Sequence, residues 1–490
     1  MNSYTFRAIV IGMMAVTVLL GAGCDDLNTG LVKRGYSYLV HNPLRWTNPA
    51  DRYANIDPVD PIPTDAIDPK VAMNGKGDAI IIWLQKNTIG TLNVHKTEYR
   101  NGVWDSPVSI YDGGAGHDAG DHTVAIADDG TALIAWVQYH MTPGYDVALW
   151  QMYRNGSWGP LGAVTSTQTT TVAAAVHGAG TAYIVTANNI GGLDVIYRSD
   201  ITDGINTYNE QISDGTSGTW SYNPAVAVDR QGNAVIVWAQ GYASENRIYM
   251  SEYRGASWSD PGTMADGHID FDNDDLTNSY SPQVAMSDSG SAIITWRQDD
   301  SAGMPHIFYS LYNSTGWDHP ASAGDNRLDQ AGLGEYGGTD PQVAMDSKGN
   351  AVAVWTRQIG GWSKIQKAEL RNGTWILPGL LEHIDPAGTA STNPRVAMGG
   401  DDAVIAWRQL SLGWYHMYKA ECRHGSWRYP KDLLLDRLDP EGATDVRTLS
   451  AAMNPVGEAI IVWDQIYSAP NRHVYKSECR PYREILPFLY

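Results

Sequence analysis

The chain has 490 residues, a formal charge of −20, 43% apolar residues and three cysteines. A chain this acidic repels polyphosphate, and no Lys/Arg cluster offsets the repulsion, so nucleic acid is excluded as an expected partner. Tyr (27) and Trp (18) far outnumber Phe (4), a bias towards aromatics with a polar tip that suits β-strands whose ends meet water.

At the N-terminus Arg7 precedes an apolar run, Ala8 to Leu20. The run is too short to span as a stable transmembrane helix and is laid out as a secretory signal. It closes LLGAGC, with Cys24 last. The approach of small residues to one cysteine resembles the lipobox of bacterial lipoproteins, although Gly21 stands where that box usually has Leu. The resemblance implies a signal peptide over 1–23 and an acylated, palmitate-bearing Cys24 as the first mature residue. An ordinary signal peptide cut nearby is the competing reading. The expected address is the cell envelope, lipid-anchored and facing periplasm or cell surface. Asp25 and Asp26 resemble an inner-membrane retention mark, and inner versus outer membrane stays open. Residues 24–67 carry no repeat and end in NIDPVDPIPTDAIDP, an extended Asp/Pro-rich spacer. YSYLV (36–40) could instead add a strand to the last repeat.

From residue 68 onwards one phrase recurs: VAVDRQGNAVIVWAQ from Val226, VAMSDSGSAIITWRQ from Val284, VAMDSKGNAVAVWTRQ from Val343. Self-similarity at a fixed period is the signature of a repeat architecture. The tryptophan falls at Trp83, Trp136, Trp238, Trp296, Trp355, Trp407 and Trp463, with Thr186 in the equivalent place of a degraded third copy. Each unit predicts four strands. VAM is the first, and a D-x-x-G turn follows, in which Gly supplies the φ > 0 residue. AVAVW or AIIIW is the second, apolar on both faces of its alternation. IYMSEYR or VHKTEYR is the third, and a tight turn leads to a fourth centred on a second tryptophan, as in NGVW104 or HGSW427. Cys422 and Cys479 occupy matching places in adjacent repeats, too far apart for the ~7 Å Cα limit of a disulfide.

A four-stranded unit that is apolar on both faces cannot stand alone in water, because each large side chain left uncovered forfeits ~1.5–3 kcal/mol. Stacking covers the faces, and closing the stack into a ring covers the two ends. The expected fold is therefore all-β, an eight-bladed β-propeller of four-stranded antiparallel blades over 68–490, with seven blades and one divergent unit as the alternative. The repeats resemble the repeat-built bacterial propellers of the sialidase-like and lectin-like group. The sialidase Asp-box S-x-D-x-G-x-x-W is not met, since Trp296 follows Gly290 by six residues.

Strand parity puts the short D-x-x-G and x-G-x-W turns on one rim. The connections between second and third strands and between blades share the other, which is the expected functional face. Trp220, Tyr242, Tyr336, Trp362 and Trp414 lie in its segments, placed either to stack on sugar faces or to plug loops onto the rim. Arg297, Arg357 and Arg408 share one position in successive blades. Three guanidiniums could clamp a carboxylate, as the resemblance to sialidase-like enzymes implies. The preferred reading is that they pair with the recurring loop aspartates Asp270, Asp329, Asp385 and Asp439 and pin adjacent blades. Asp270, Asp272 and Asp274 have the D-x-D-x-D spacing of calcium loops, with Asn278 at the ninth position, although Asp275 stands where such loops need Gly. The Gln two residues beyond most repeat tryptophans is too regular to be catalytic and is read as part of the ring's bonding.

No Ser-His-Asp order, H-E-x-x-H, C-x-x-C or phosphate loop occurs, and nothing in the sequence pairs two carboxylates as acid and nucleophile. The expected function is a lipid-anchored extracytoplasmic binding module, with a glycan or protein ligand at the long-loop face. It is expected to be a monomer, touching the membrane through its lipid alone. No cofactor is required, with calcium as an option. The alternatives are a sialidase-like glycoside hydrolase or polysaccharide lyase, and a structural envelope protein without a small ligand.

Overall fold

The computed structural model describes residues 44–481, apart from position 52 and residues 58–64, 112–113, 115, 141–143, 165–167, 216–218, 243–244, 263–266, 272–275, 330–336, 387, 443 and 469–470. Cys24 and YSYLV therefore lie outside the described residues. The strands form eight antiparallel sheets of four strands, two of which carry an extra short strand. The chain is an eight-bladed β-propeller, and the degraded third copy is a full blade: Gln168–Gly178, Thr181–Ile190, Leu193–Thr202 and Ile205–Gln211.

The hairpins form for the reason the turn residues give. Asp346 Oδ1 accepts from the N–H groups of Lys348 (2.8 Å) and Asn350 (2.9 Å), and Gly349 takes φ +87°, where a side chain would be strained. The second strands are covered on both faces: Ala79, Ile80, Ile81, Ile82 and Trp83 are each 0% exposed. A tryptophan buried that deeply needs an acceptor for its one N–H. The Gln two residues on provides it, as from Trp83 to Gln85 (2.9 Å) and from Trp463 to Gln465 (3.0 Å). The same amide then donates to a loop carbonyl, Gln240 to Asp214 at 2.8 Å and Gln409 to Pro386 at 2.9 Å. In the sixth blade the partner of Trp355 is instead Gln366 from the third strand.

In five of the eight blades a second bond ties the blade to the one before it. The fourth-strand indole donates to a third-strand glutamate of the preceding blade: Trp158 to Glu98 (2.6 Å), Trp317 to Glu252 (3.0 Å), Trp427 to Glu369 (2.7 Å) and Trp104 to Glu478 (3.1 Å). Burial by itself would raise Glu98, but hydrogen bonds from Lys96, Arg100 and Trp158 hold it below its ordinary value.

The last blade has no G-x-W of its own. Its fourth strand is Leu44–Thr47 from the start of the described chain, antiparallel to Asn471–Pro481. Trp46 lies opposite Cys479 as Trp427 lies opposite Cys422, and its indole donates to Glu421 at 2.6 Å. Thus LRWT closes the ring, and the propeller takes in part of the segment read as a spacer. Cys422 and Cys479 are both buried and are not joined to each other by a disulfide. Replacing Trp46 with Ala should destabilise the protein by about 3 kcal/mol in urea unfolding, because it removes a packed indole and leaves Glu421 without its donor. Replacing the exposed Trp362 with Ala should stay within about 0.5 kcal/mol. Equal effects in the two variants would show that the ring does not depend on this closing strand.

Candidate functional site

On the rim opposite the D-x-x-G turns, the loops between blades are held by buried aspartates. Asp270 Oδ1 accepts from the Ile248 N–H (2.9 Å) and Oδ2 from the Ser279 hydroxyl (2.7 Å). Asp385 takes the Ile365 N–H (2.8 Å), Lys364 (3.0 Å) and the Ser391 hydroxyl (2.7 Å). Asp439 takes the Met417 N–H (2.9 Å), His416 (2.7 Å) and, from the next blade, Gln465 (3.0 Å). Asp329 with Ile307 and His306, and Asp57 with Val474 and His473, repeat the pattern. Asp270, Asp385 and Asp439 thereby bond to both adjacent blades.

Their side-chain partners are not the three arginines. They are Arg247, His306, Lys364, His416 and His473, one residue ahead of the strand N–H that each aspartate accepts from. Arg297 instead grips Asp299 with two bonds, 2.7 and 2.9 Å. Arg357 is 2% exposed and donates to Gln366 at 3.4 Å. Arg408 donates to Thr392 (3.1 Å) and to the Val446 and Arg447 carbonyls (both 3.2 Å). The expected pairing fails because a guanidinium in the second strand is already used within its own blade or on the next backbone.

The aromatic candidates separate cleanly. Trp362 and Trp414 open the third strands of the sixth and seventh blades, after the two-residue turns Gly360-Gly361 and Leu412-Gly413. The connections between second and third strands here are short, so the length on this rim sits mainly in the links between blades. Trp220 precedes the fourth blade's first strand, Ser221–Val228. The three are 44%, 49% and 53% exposed respectively. Tyr242 ends a second strand, and Tyr336 lies outside the described residues. Of the calcium candidates, Asp272 and Asp274 also lie outside them. Asn278 Oδ1 accepts from the Asn246 N–H at 2.9 Å, and Asp270 is engaged as described above.

One feature of this face escaped the sequence reading. The first strands begin DPKVAM, NPAVAV, SPQVAM, DPQVAM and NPRVAM. The residue before each proline is left-handed: Asp68, Asn223, Ser281, Asp340 and Asn393 have φ between +51° and +55°. A bulge follows in every case, which kinks the strand and re-aims the next side chain. That side chain is Lys70, Ala225, Gln283, Gln342 or Arg395, the most varied place in the phrase, set between a constant Pro and a constant Val. All but Ala225 line a cavity of about 490 Å³ at the axial mouth of the ring, together with Asp121 and Asp340. Variation at one fixed position between constant neighbours was the signal available.

No protein-family model matches the chain, and no curated protein matches it. Similar solved structures include a protein of unknown function from Dyadobacter fermentans, with 11% identity and a TM-score of 0.41, covering 90% of this chain and 99% of that one. Another is a polysaccharide lyase of the ulvan lyase family PL25 bound to a GlcA–Rha3S saccharide, with 11% identity, a TM-score of 0.44 and coverage of 88% and 95%. A third is a Hadza microbial sialidase, with 10% identity, a TM-score of 0.39 and coverage of 83% and 77%. At 11% identity or below, none of these three carries residue roles over to this chain.

The aspartate latches make stability depend on pH. Hydrogen bonds donated to Asp270, Asp385 and Asp57 raise His268, His383 and His473 above the ordinary imidazole value, against the lowering caused by burial. A group raised on folding contributes fully below its unfolded pKa, ~6.5 for His, and loses that contribution as pH rises through its folded value. Burial would raise Asp385, but the bonds from His383 and the Ile365 N–H hold it low. Its contribution is present above ~3.9 and is lost as pH falls through the folded value. The stabilisation from these latches should therefore fall as pH is raised from about 6 to about 8, while His95, His122 and His319, lowered by burial, contribute with the opposite sign. His383→Gln combined with His473→Gln should shift the slope of the thermal midpoint against pH towards more positive values than the parent's. A slope unchanged in the double variant would rule these latches out as its source.

Proposed function

We propose that the protein is an extracytoplasmic glycan-binding propeller whose ligand meets the rim carrying Trp220, Trp362 and Trp414. A single observation carries the reading. Of the chain's 18 tryptophans, seven fill the second-strand positions at 0% exposure. Seven more occupy fourth-strand positions, partly buried: Trp46, Trp104, Trp158, Trp258, Trp317, Trp375 and Trp427. Trp150 is 3% exposed. The three left over are the exposed ones, all on one face, and none is needed by the ring. An exposed flat ring offers an apolar face to the C–H side of a sugar, with its N–H free for a hydroxyl. Nothing in the blade architecture requires indole at these points.

The ring would be held outside the cytoplasm by lipid on Cys24. Cys24→Ser should abolish incorporation of labelled palmitate and move the protein from the membrane to the soluble fraction. Unchanged labelling would end that part of the proposal.

The binding reading is tested on the detergent-solubilised chain with a glycan array, followed by calorimetry on the best ligand. Trp362→Ala and Trp414→Ala should each weaken binding about tenfold, equivalent to about 1.4 kcal/mol, with unfolding unchanged. Arrays negative at high protein concentration, or variants that bind as the parent does, would refute it.

A further inference from the structure

The axial mouth on the same face holds a guanidinium that no carboxylate among the described residues contacts directly. Lys70 is paired with Asp68 at 3.2 Å. Asp121 is taken up by the N–H groups of His122 and Val172, both at 3.0 Å. Arg395 differs. Its Nη1 donates to the carbonyl of the preceding Pro394 at 2.9 Å, and no carboxylate among the described residues lies within ion-pair distance. Asp340 and Asp68 act on it only through space, and burial lowers its pKa. Beside it, Gln283 and Gln342 adopt the same curl, each donating to the carbonyl of the proline before it at 2.8 Å. That leaves the amide oxygen and one N–H of each uncommitted at the cavity wall. The lining thus sets one guanidinium without a direct carboxylate contact beside the uncharged Gln283 and Gln342, with Lys70, Asp121 and Asp340 completing the wall. The volume, about 490 Å³, falls within the ~300–1,000 Å³ of small-molecule sites.

We propose that this cavity binds a polyhydroxylated carboxylic acid, such as a uronic-acid residue. Arg395 holds the carboxylate through its paired N–H groups, and Gln283, Gln342 and Asp340 take the hydroxyls. One unmatched guanidinium neutralises one negative charge. A phosphate dianion would be opposed by Asp68, Asp121 and Asp340 near the same opening. The polar walls favour hydroxyls over an apolar body. This site is separate from the tryptophan rim and survives failure of the rim reading.

The test is calorimetry on the full chain in detergent with glucuronate, galacturonate, glucose, galactose and alanine. A uronate should bind at least tenfold more tightly than its neutral counterpart, a difference of about 1.4 kcal/mol, and more weakly as salt is raised. Arg395→Ala should bring the acid down to the level of the neutral sugar, Arg395→Lys should keep part of the preference, and Trp362→Ala should change neither. Equal binding of acid and neutral sugars, no uronate binding at ~20 mM, alanine binding as well as the uronate, or an Arg395→Ala variant that keeps the preference would each overturn the proposal. Should Arg395→Ala fail to fold, Gln342→Glu places a competing anion at the mouth without removing a strut. It should weaken the uronate about tenfold, and unchanged affinity would overturn the proposal equally.

Discussion

A strand that is apolar on both faces leaves its sheet no way to end a stack. Ile80 and Ile82 of the first blade are enclosed with Ile134 and Trp136 of the second, while Ile81 and Trp83 are enclosed with Ile460 and Val462 of the eighth. The first blade is thus covered on one side by residues nearly four hundred positions away, while later blades are covered by the repeats next to them in sequence. Cover on both sides at every blade is only available in a closed ring. The closure by Leu44–Thr47 follows from that demand, because the blade that would otherwise lack an outer strand is the one at the join.

Burying an indole creates a second demand, for an acceptor, and the ring meets it the same way each time. Second-strand tryptophans use glutamine, and most fourth-strand tryptophans use glutamate on the preceding blade. Where the glutamate is missing the indole changes partner. Trp258 lies over the Arg198 guanidinium at 4.0 Å, and Trp375 packs on Tyr309 at 5.0 Å, in a pair of blades where Leu311 holds the place of the glutamate. Residues repeated in nearly every blade therefore answer to the fold. Any function has to be sought where the phrase varies.

That division explains what could be read before the structure was known. Blade number, strand order and hairpin turns rest on interactions within ten or twenty residues, so they show in a single sequence. Trp220, Trp362 and Trp414 were visible because they fall outside both tryptophan positions of the repeat. The closing strand was not legible in the same way. LRWT has no G-x-W context, and its partner is more than four hundred residues downstream. YSYLV, a few positions earlier, carries a more strand-like pattern. The loop aspartates were recognised as blade pins, but assigned to arginines instead of to the residue heading each third strand, since nothing local distinguishes Arg297 from Arg247 as a partner. The axial site was harder still, because it takes one side chain from each of several blades and has no local motif.

The two mouths of the channel show how the same residue type can serve structure at one end and remain available at the other. At the short-turn mouth, Arg230 of the fourth blade reaches Asp128 of the second and lies 3.1 Å from Asp288 of the fifth. It acts as a strut across a floor that includes Met73, Met286, Met345, Met398 and Met453. Burial raises the Asp288 carboxyl against the pull of Arg230, with Asp128 and Asp229 adding repulsion, so the guanidinium holds together carboxylates that would otherwise push apart. No positive charge is left over there for an anionic ligand. At the opposite mouth Arg395 donates to a backbone carbonyl, and among the described residues Asp340 and Asp68 act on it only through space. A partly desolvated cation without a counterion is unfavourable for the free protein, and its interaction with an incoming carboxylate recovers that cost. The asymmetry between Arg230 and Arg395, rather than loop length alone, is the physical reason for assigning ligands to the face with the long connections.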